Sequence, residues 1–318
     1  MSPPIMRPGR SFARLVPGVA VVAAISVVAA MAVNADGQKV QRVQANNAAL
    51  WVTNDLAIRY GRFNKASSSM ELANRPGEIS SGVGRLDVSQ DGDTVVVRDL
   101  SAGRLVPVDT ALGTNGVDAA LALEAEGKVD LRGGTLAVLE PATGKVWALR
   151  TEGTAHQLDL SGFDPATPPL AQLGPVTGDV ASLAGLSVGA DGSVHAASAS
   201  GKAVSIPVDA EGFGEPTYRD LPAGLTGVQV AALGSQSAVL SSNTGTLILP
   251  GGRTVQVPQD PATQLQAGGT DVGSVAVATS TDLLSVGFDG KVSTLYTAGG
   301  GAPAVPVNLG VSAATGSC

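Results

Sequence analysis

The side chains equipped for chemistry are few and scattered. Two histidines, His156 and His195, and a single cysteine, Cys318, stand among 318 residues. A zinc centre gathers three or four Cys, His or carboxylate ligands, and neither an iron–sulfur cluster nor a disulfide framework can be built from one cysteine. Asp87, Asp91 and Asp93, in DVSQDGD, are spaced as a hard cation would want, but the later bidentate acid of a calcium loop is missing, and Asp91-Gly92 reads better as a hairpin turn. Gly299-Gly300-Gly301 runs into Ala-Pro and follows no phosphate-loop pattern. No catalytic, metal or cofactor-binding residue is expected, and the chain reads as non-catalytic. The residues singled out for partner contact are Asp164, Pro168, Pro169 and Leu170, in the Pro-rich stretch Gly162 to Pro175, because a loop inserted into a regular scaffold is free to carry recognition.

The scaffold that would carry such a loop shows as a repeat. Its unit is an apolar run, a Gly-containing turn, usually a basic residue, and a second apolar run. It recurs as LWVTNDLAIRYGRF, TVVVRDLSAGRLVPV, TLAVLEPATGKVWAL, SVHAASASGKAVSI, SAVLSSNTGTLIL and DLLSVGFDGKVSTL. The turn glycines are Gly61, Gly103, Gly144, Gly201, Gly245 and Gly290, spaced 42, 41, 57, 44 and 45 apart. The long spacing falls where the Pro-rich insertion lies. Glycine supplies the positive φ of a tight turn, and the flanking runs bury their faces on neighbours.

The next residue is Arg62, Arg104, Lys145, Lys202, Thr246 or Lys291, read as a solvated turn charge in preference to a ring of cations gripping an anion. Another apolar stretch precedes each later hairpin: Val83 to Val88, Ala120 to Ala125, Leu183 to Val188, Val228 to Leu233 and Ser274 to Thr279, with a fourth strand in segments such as Thr254 to Pro258. Four short strands in about 43 residues is the size of a propeller blade. The expected fold is all-β, a β-propeller of six or seven blades over residues 50–318. His156 and His195 fall at unmatched positions of the repeat, so each is expected to be exposed or satisfied. Trp51 and Trp147 lie inside apolar strands and are expected in the core.

Ahead of the repeats, residues 1–14 are basic, with Arg7, Arg10 and Arg14, and Leu15 to Val33 is uncharged. At about 1.5 Å per residue such a helix spans a hydrocarbon layer of roughly 30 Å, and the positive-inside rule leaves the arginines in the cytoplasm. Residues 15–35 are read as a transmembrane helix or signal anchor and 36–49 as a connector; the small residues around Ala30 to Ala35 keep a cleaved signal peptide open. The exported remainder holds 17 bases against 27 acids, a formal charge of −10. That surface repels nucleic acid, so the partner is expected to be a protein or cell-wall component, with the membrane met through residues 15–35.

With Trp51-Val52-Thr53-Asn54 and Gly61-Arg62-Phe63-Asn64 in Leu50 to Leu72, behind one membrane segment and ahead of acidic β repeats, the chain resembles the N-terminal part of large actinobacterial surface proteins bearing fibronectin type III or immunoglobulin-like domains. The resemblance implies a membrane-anchored, extracytoplasmic interaction role and supplies no catalytic residues. Two other functions stay open at this point: an exported propeller enzyme, a lyase or hydrolase with its site at a channel mouth, and a passive spacer for further fibronectin-like domains.

Overall fold

The computed structural model describes residues 49–64, 67–75, 85–116, 119–124, 126–151, 157–163, 167–176, 183–259, 262–266 and 273–297. The basic tail, the segment 15–35, the connector up to residue 48, His156, Asp164 and Gly299 to Gly301 lie outside these. The chain divides into units 1–47 and 48–318, and the second holds every described residue.

Among the described residues the structure is all-β, relieved only by the short 3-10 turns Ser161–Phe163 and Pro250–Gly252. No helix there is long and apolar enough to cross a membrane. The strands form antiparallel sheets that follow one another along the chain. Sheet 1 comprises Ala49–Asn54, Arg59–Asn64 and Ser69–Asn74. Sheet 2 comprises Leu86–Asp91, Thr94–Asp99 and Arg104–Asp109, with Thr114–Asn115 and Leu121–Ala122 both pairing the last of these. Sheet 3 comprises Lys128–Arg132, Thr135–Glu140, Lys145–Arg150 and Ala171–Gln172, and sheet 4 Ala184–Val188, Val194–Ser198, Lys202–Ile206 and Thr217–Asp220. Sheet 5 comprises Val228–Leu233, Gln236–Ser241, Thr246–Ile248 and Thr254–Gln256. Sheet 6 orders Gln264–Leu265, Ser274–Ala278, Asp282–Gly287 and Val292–Thr297.

The continuous apolar runs now have a cause. A strand covered on one face alternates apolar with polar residues, whereas one covered on both faces is apolar throughout. In Thr94–Asp99, Val95 and Val97 pack in the cluster with sheet 1 while Val96 packs in the cluster with sheet 3. Leu136 and Val138 face sheet 2, and Ala137 and Leu139 face sheet 4. Val239 meets sheet 4 while Ala238 and Leu240 meet sheet 6. Each pair of consecutive sheets thus owns one apolar cluster.

Along the first strands of adjoining sheets and the turns that follow them, the sheets are joined by side chains. Asp55 accepts the Leu86 amide at 2.9 Å, Asp91 the Gly134 amide at 2.8 Å and Asp130 the Val188 amide at 2.7 Å. Ser187 accepts the Ala232 amide at 3.1 Å, and Gln229 accepts the Leu265 amide at 2.8 Å. Buried backbone donors demand partners, and these five acceptors supply them. Burial pushes the Asp130 carboxyl above the usual range, against the lowering effect of the Val188 and Leu131 amides and Arg132. A carboxyl whose folded pKa exceeds its unfolded one binds its proton more tightly in the folded state, so stability falls as pH rises from the ordinary aspartate value through the raised one. The melting temperature of Asp130→Asn relative to the parent is therefore expected to climb as pH rises across that window. A pH-independent difference would contradict the assignment.

Two expectations need correction. Gly61 is not a turn glycine: the first hairpin turns at Asp55 to Ile58, and Gly61 sits within its second strand opposite Val52. Its glycine identity has another origin, since a Cβ there would lie 2.1 Å from the Leu72 carbonyl oxygen. Nor does Ala120 to Ala125 open a repeat. Leu121–Ala122 pairs with Arg104 and Leu105 as an outer strand of sheet 2, and sheet 3 starts at Lys128–Arg132, whose mixed polarity hid it. The other five hairpin glycines do hold positive φ, from 61° at Gly103 to 89° at Gly201.

Candidate functional site

A cleft of about 360 Å³ opens between sheets 4 and 5. Strand register decides what reaches it. His195 lies opposite Ser205, and Ser205 opposite Thr217, forming one transverse row across sheet 4; Ala203 and Arg219 stand opposite one another in the next. Ala203 belongs to the core between sheets 4 and 5, so this face of both rows looks toward sheet 5. From the other side come Gln236 and Ser237 at the start of their strand and the turn at Pro250-Gly251.

His195 is the fixed floor of the cleft, fully buried. Its Nε2 lies 3.1 Å from the Gly234 carbonyl oxygen, which can only accept, so Nε2 carries the proton. Nδ1 then accepts from the Ser205 hydroxyl at 2.9 Å. Ser193 Oγ, 3.0 Å from Nε2, donates to Asp191 at 2.6 Å. Burial lowers the imidazole pKa first, and Arg219 lowers it further, against the Gly234 carbonyl and Asp191. The ring is a neutral, satisfied histidine. A hydrolytic relay would use Ser205 as nucleophile and His195 Nδ1 as base. It would then need the imidazolium to be stabilised, yet its second nitrogen meets a carbonyl in place of a carboxylate, and burial and Arg219 both oppose that charge.

Arg219 is the opposite case. Its Nη1 donates a long 3.4 Å bond to the Leu249 carbonyl, while Nη2 is buried with no acceptor among the described residues. Burial draws its pKa down from the usual value. The hydroxyls of Thr217 and Ser237 and the side-chain amide of Gln236 also line the cleft with no hydrogen bond among the described residues. Ser237 is 7% exposed as a residue, and its hydroxyl is not closed off from solvent. The cleft therefore collects hydrogen-bond donors around one guanidinium.

Of the residues expected at a partner surface, Pro168, Pro169 and Leu170 do not line it. Pro168 is exposed, Pro169 and Leu170 are half-buried, and the Leu170 amide donates to the Val146 carbonyl at 2.9 Å as the chain enters the outer strand of sheet 3. Trp51 is buried against Tyr60, their rings 6.0 Å apart. Trp147 is half-buried, and its Nε1 donates to the Thr167 carbonyl at 3.1 Å. Four of the five cations find local acids, Arg62 with Glu71 at 2.9 Å, Arg104 with Asp99 at 3.3 Å, Lys202 with Asp220 at 3.5 Å and Lys291 with Asp289 at 3.3 Å, while Lys145 lies over the Trp147 ring, 5.8 Å from its centroid. Asp91 takes its part in a hairpin turn with Gly92 at φ 57°, and no group of three metal-ligating side chains occurs among the described residues. Thr217 and Arg219 were missed because their strand lies outside the recurring hairpin unit, and Ser205 and Ser237, within it, because they carry no motif. The signal available was the alternation in TYRD, which sets Thr217 and Arg219 on one face.

No protein-family model matches the sequence, and no curated protein does either. Solved structures do show a likeness. Kluyveromyces lactis Hsv2 is 10% identical, over 76% of this chain and 70% of that one, with a TM-score of 0.49. BamB from Moraxella catarrhalis is 12% identical over 78% and 72%, with a TM-score of 0.48. The beta-propeller domain of Cps50 (Swd1) from Myceliophteria thermophila is 11% identical over 78% and 81%, with a TM-score of 0.45. Similarity at this level transfers neither an activity nor a partner.

Proposed function

We propose that the chain is a non-catalytic binding module, held on the outer side of a cell membrane by residues 15–35, whose sheets form a β-propeller of six or seven blades and whose cleft between sheets 4 and 5 receives a protein or cell-wall partner. The observation that carries this reading is the contrast within the cleft. The His195 floor is neutral and fully hydrogen-bonded, whereas Arg219 Nη2 and the hydroxyls of Thr217 and Ser237 have no acceptor among the described residues. That combination suits recognition and does not suit proton transfer. The uncharged run from Leu15 to Val33 behind three arginines supports the anchor, and the formal charge of −10 beyond it supports a partner other than nucleic acid.

Two measurements test it. In cells, the full chain is expected to remain with membranes after alkaline wash and to lose its repeat region to protease added from outside; a soluble cytosolic chain would overturn the anchor. For the cleft, Gln236 is exposed at the mouth, so Gln236→Trp is expected to block entry with the fold intact. Retention of the chain on cross-linked envelope partners is expected to drop at least tenfold, and unchanged retention would remove the cleft from the binding surface.

A further inference from the structure

We propose that the group received in this cleft is a carboxylate, bound by the Arg219 guanidinium and assisted by the Thr217 and Ser237 hydroxyls. The inference rests on the cleft being the binding site and names the chemistry it selects. A buried, charged donor with no acceptor is costly, and a ligand oxyanion is the partner that relieves it. To meet Nη2, the guanidinium turns toward the cleft and gives up its weakest bond, the 3.4 Å contact with the Leu249 carbonyl.

The charge count selects among anions. Among the described residues Arg219 is the one cation lining the cleft, and burial keeps the neighbouring His195 neutral, its Nδ1 taken by the Ser205 hydroxyl. The exported chain has a strongly acidic balance, which opposes a dianion such as phosphate. One positive charge flanked by neutral hydroxyl and amide donors matches a monoanion with two oxygens. A volume of about 360 Å³ leaves room beside the carboxylate for a further part of the ligand.

The source of that carboxylate is either a free small acid or the end or side chain of a peptide, and calorimetry on the full chain in detergent separates them. The probes are acetate, N-acetyl-alanyl-alanine, the C-terminal amide of the same dipeptide, and inorganic phosphate. The dipeptide acid is expected to bind at least tenfold more tightly than its amide and more tightly than phosphate. Acetate matching the dipeptide acid assigns a small free acid, and a tighter dipeptide assigns a peptide. Arg219→Gln is expected to weaken the acid at least tenfold, and Arg219→Lys to recover part of the loss. Ser237→Ala is expected to weaken it less while keeping the parent melting temperature, so the test survives a misfolded Arg219 variant.

Equal binding of acid and amide, phosphate binding more tightly than the carboxylates, no binding of any probe, or an Arg219→Gln variant that binds like the parent would each overturn the proposal. If one of these holds while Gln236→Trp still abolishes partner retention, the ligand chemistry is wrong and the binding cleft stands. If Gln236→Trp also has no effect, both fall.

Discussion

Gly133→Ala is expected to destabilise the folded chain by about 2–4 kcal/mol, through left-handed backbone strain and steric overlap together. Gly133 and Gly134 form the turn between the first two strands of sheet 3, with φ of 57° and 67°, the paired positive values of a type I′ hairpin. A Cβ on Gly133 would lie 2.5 Å from the Gly192 amide nitrogen, 2.6 Å from the Gly189 carbonyl oxygen and 2.7 Å from that of Ala190. All three are backbone atoms of the first turn of sheet 4, so no side chain can swing aside. Gly92→Ala is the matched control, because Gly92 shares a φ of 57° but has nothing within 4 Å of the added carbon. Thermal unfolding should show a loss several degrees larger for Gly133→Ala than for Gly92→Ala. Equal losses would mean that the two sheets do not approach so closely.

Dividing the chain between Val176 and Leu183 and producing each part alone is expected to yield insoluble or molten material. The cut separates sheets 3 and 4, whose shared cluster includes Leu139, Val146 and Leu173 on one side and Val188, Val194 and Ile206 on the other. Burial of a large aliphatic side chain contributes about 1.5–3 kcal/mol, so baring these six removes on the order of 10 kcal/mol, comparable with the whole stability of a domain. The Val188 amide also loses Asp130. Two soluble halves, each melting cooperatively, would show that the sheets are independent sandwiches and not one continuous stack.

Much of this framework is legible in the residues because it depends on local rules. A turn requiring positive φ selects glycine, which marks the hairpins at Gly103, Gly144, Gly201, Gly245 and Gly290, and strands covered on both faces show as unbroken apolar runs such as VVV and LAVL. Gly61 misled because a glycine demanded by close backbone approach is indistinguishable in sequence from one demanded by a turn. The strand KVDLR was passed over for the more apolar ALALEA because Asp130 at its centre is polar for a tertiary reason, the capture of an amide in the next sheet. The cleft was hidden for a related cause. Arg219 and Ser237 are adjacent to His195 only once two sheets stack, and a missing hydrogen bond has no signature in a linear string. For His195 the expectation of a satisfied side chain holds, and its burial is what the sequence did not display.

The five acceptors that stitch neighbouring first strands have an evolutionary reading. Because the polar fasteners at each seam are side chains and not a shared backbone ladder, a repeat gained by duplication would arrive carrying its own fastener for the next copy. A repeat shuffled in without such a side chain would strand a neighbour's amide. Asp, Ser and Gln all fill the role, so what the seam requires is a reachable oxygen at that spot, and the seams can differ in letter while the stack keeps its order.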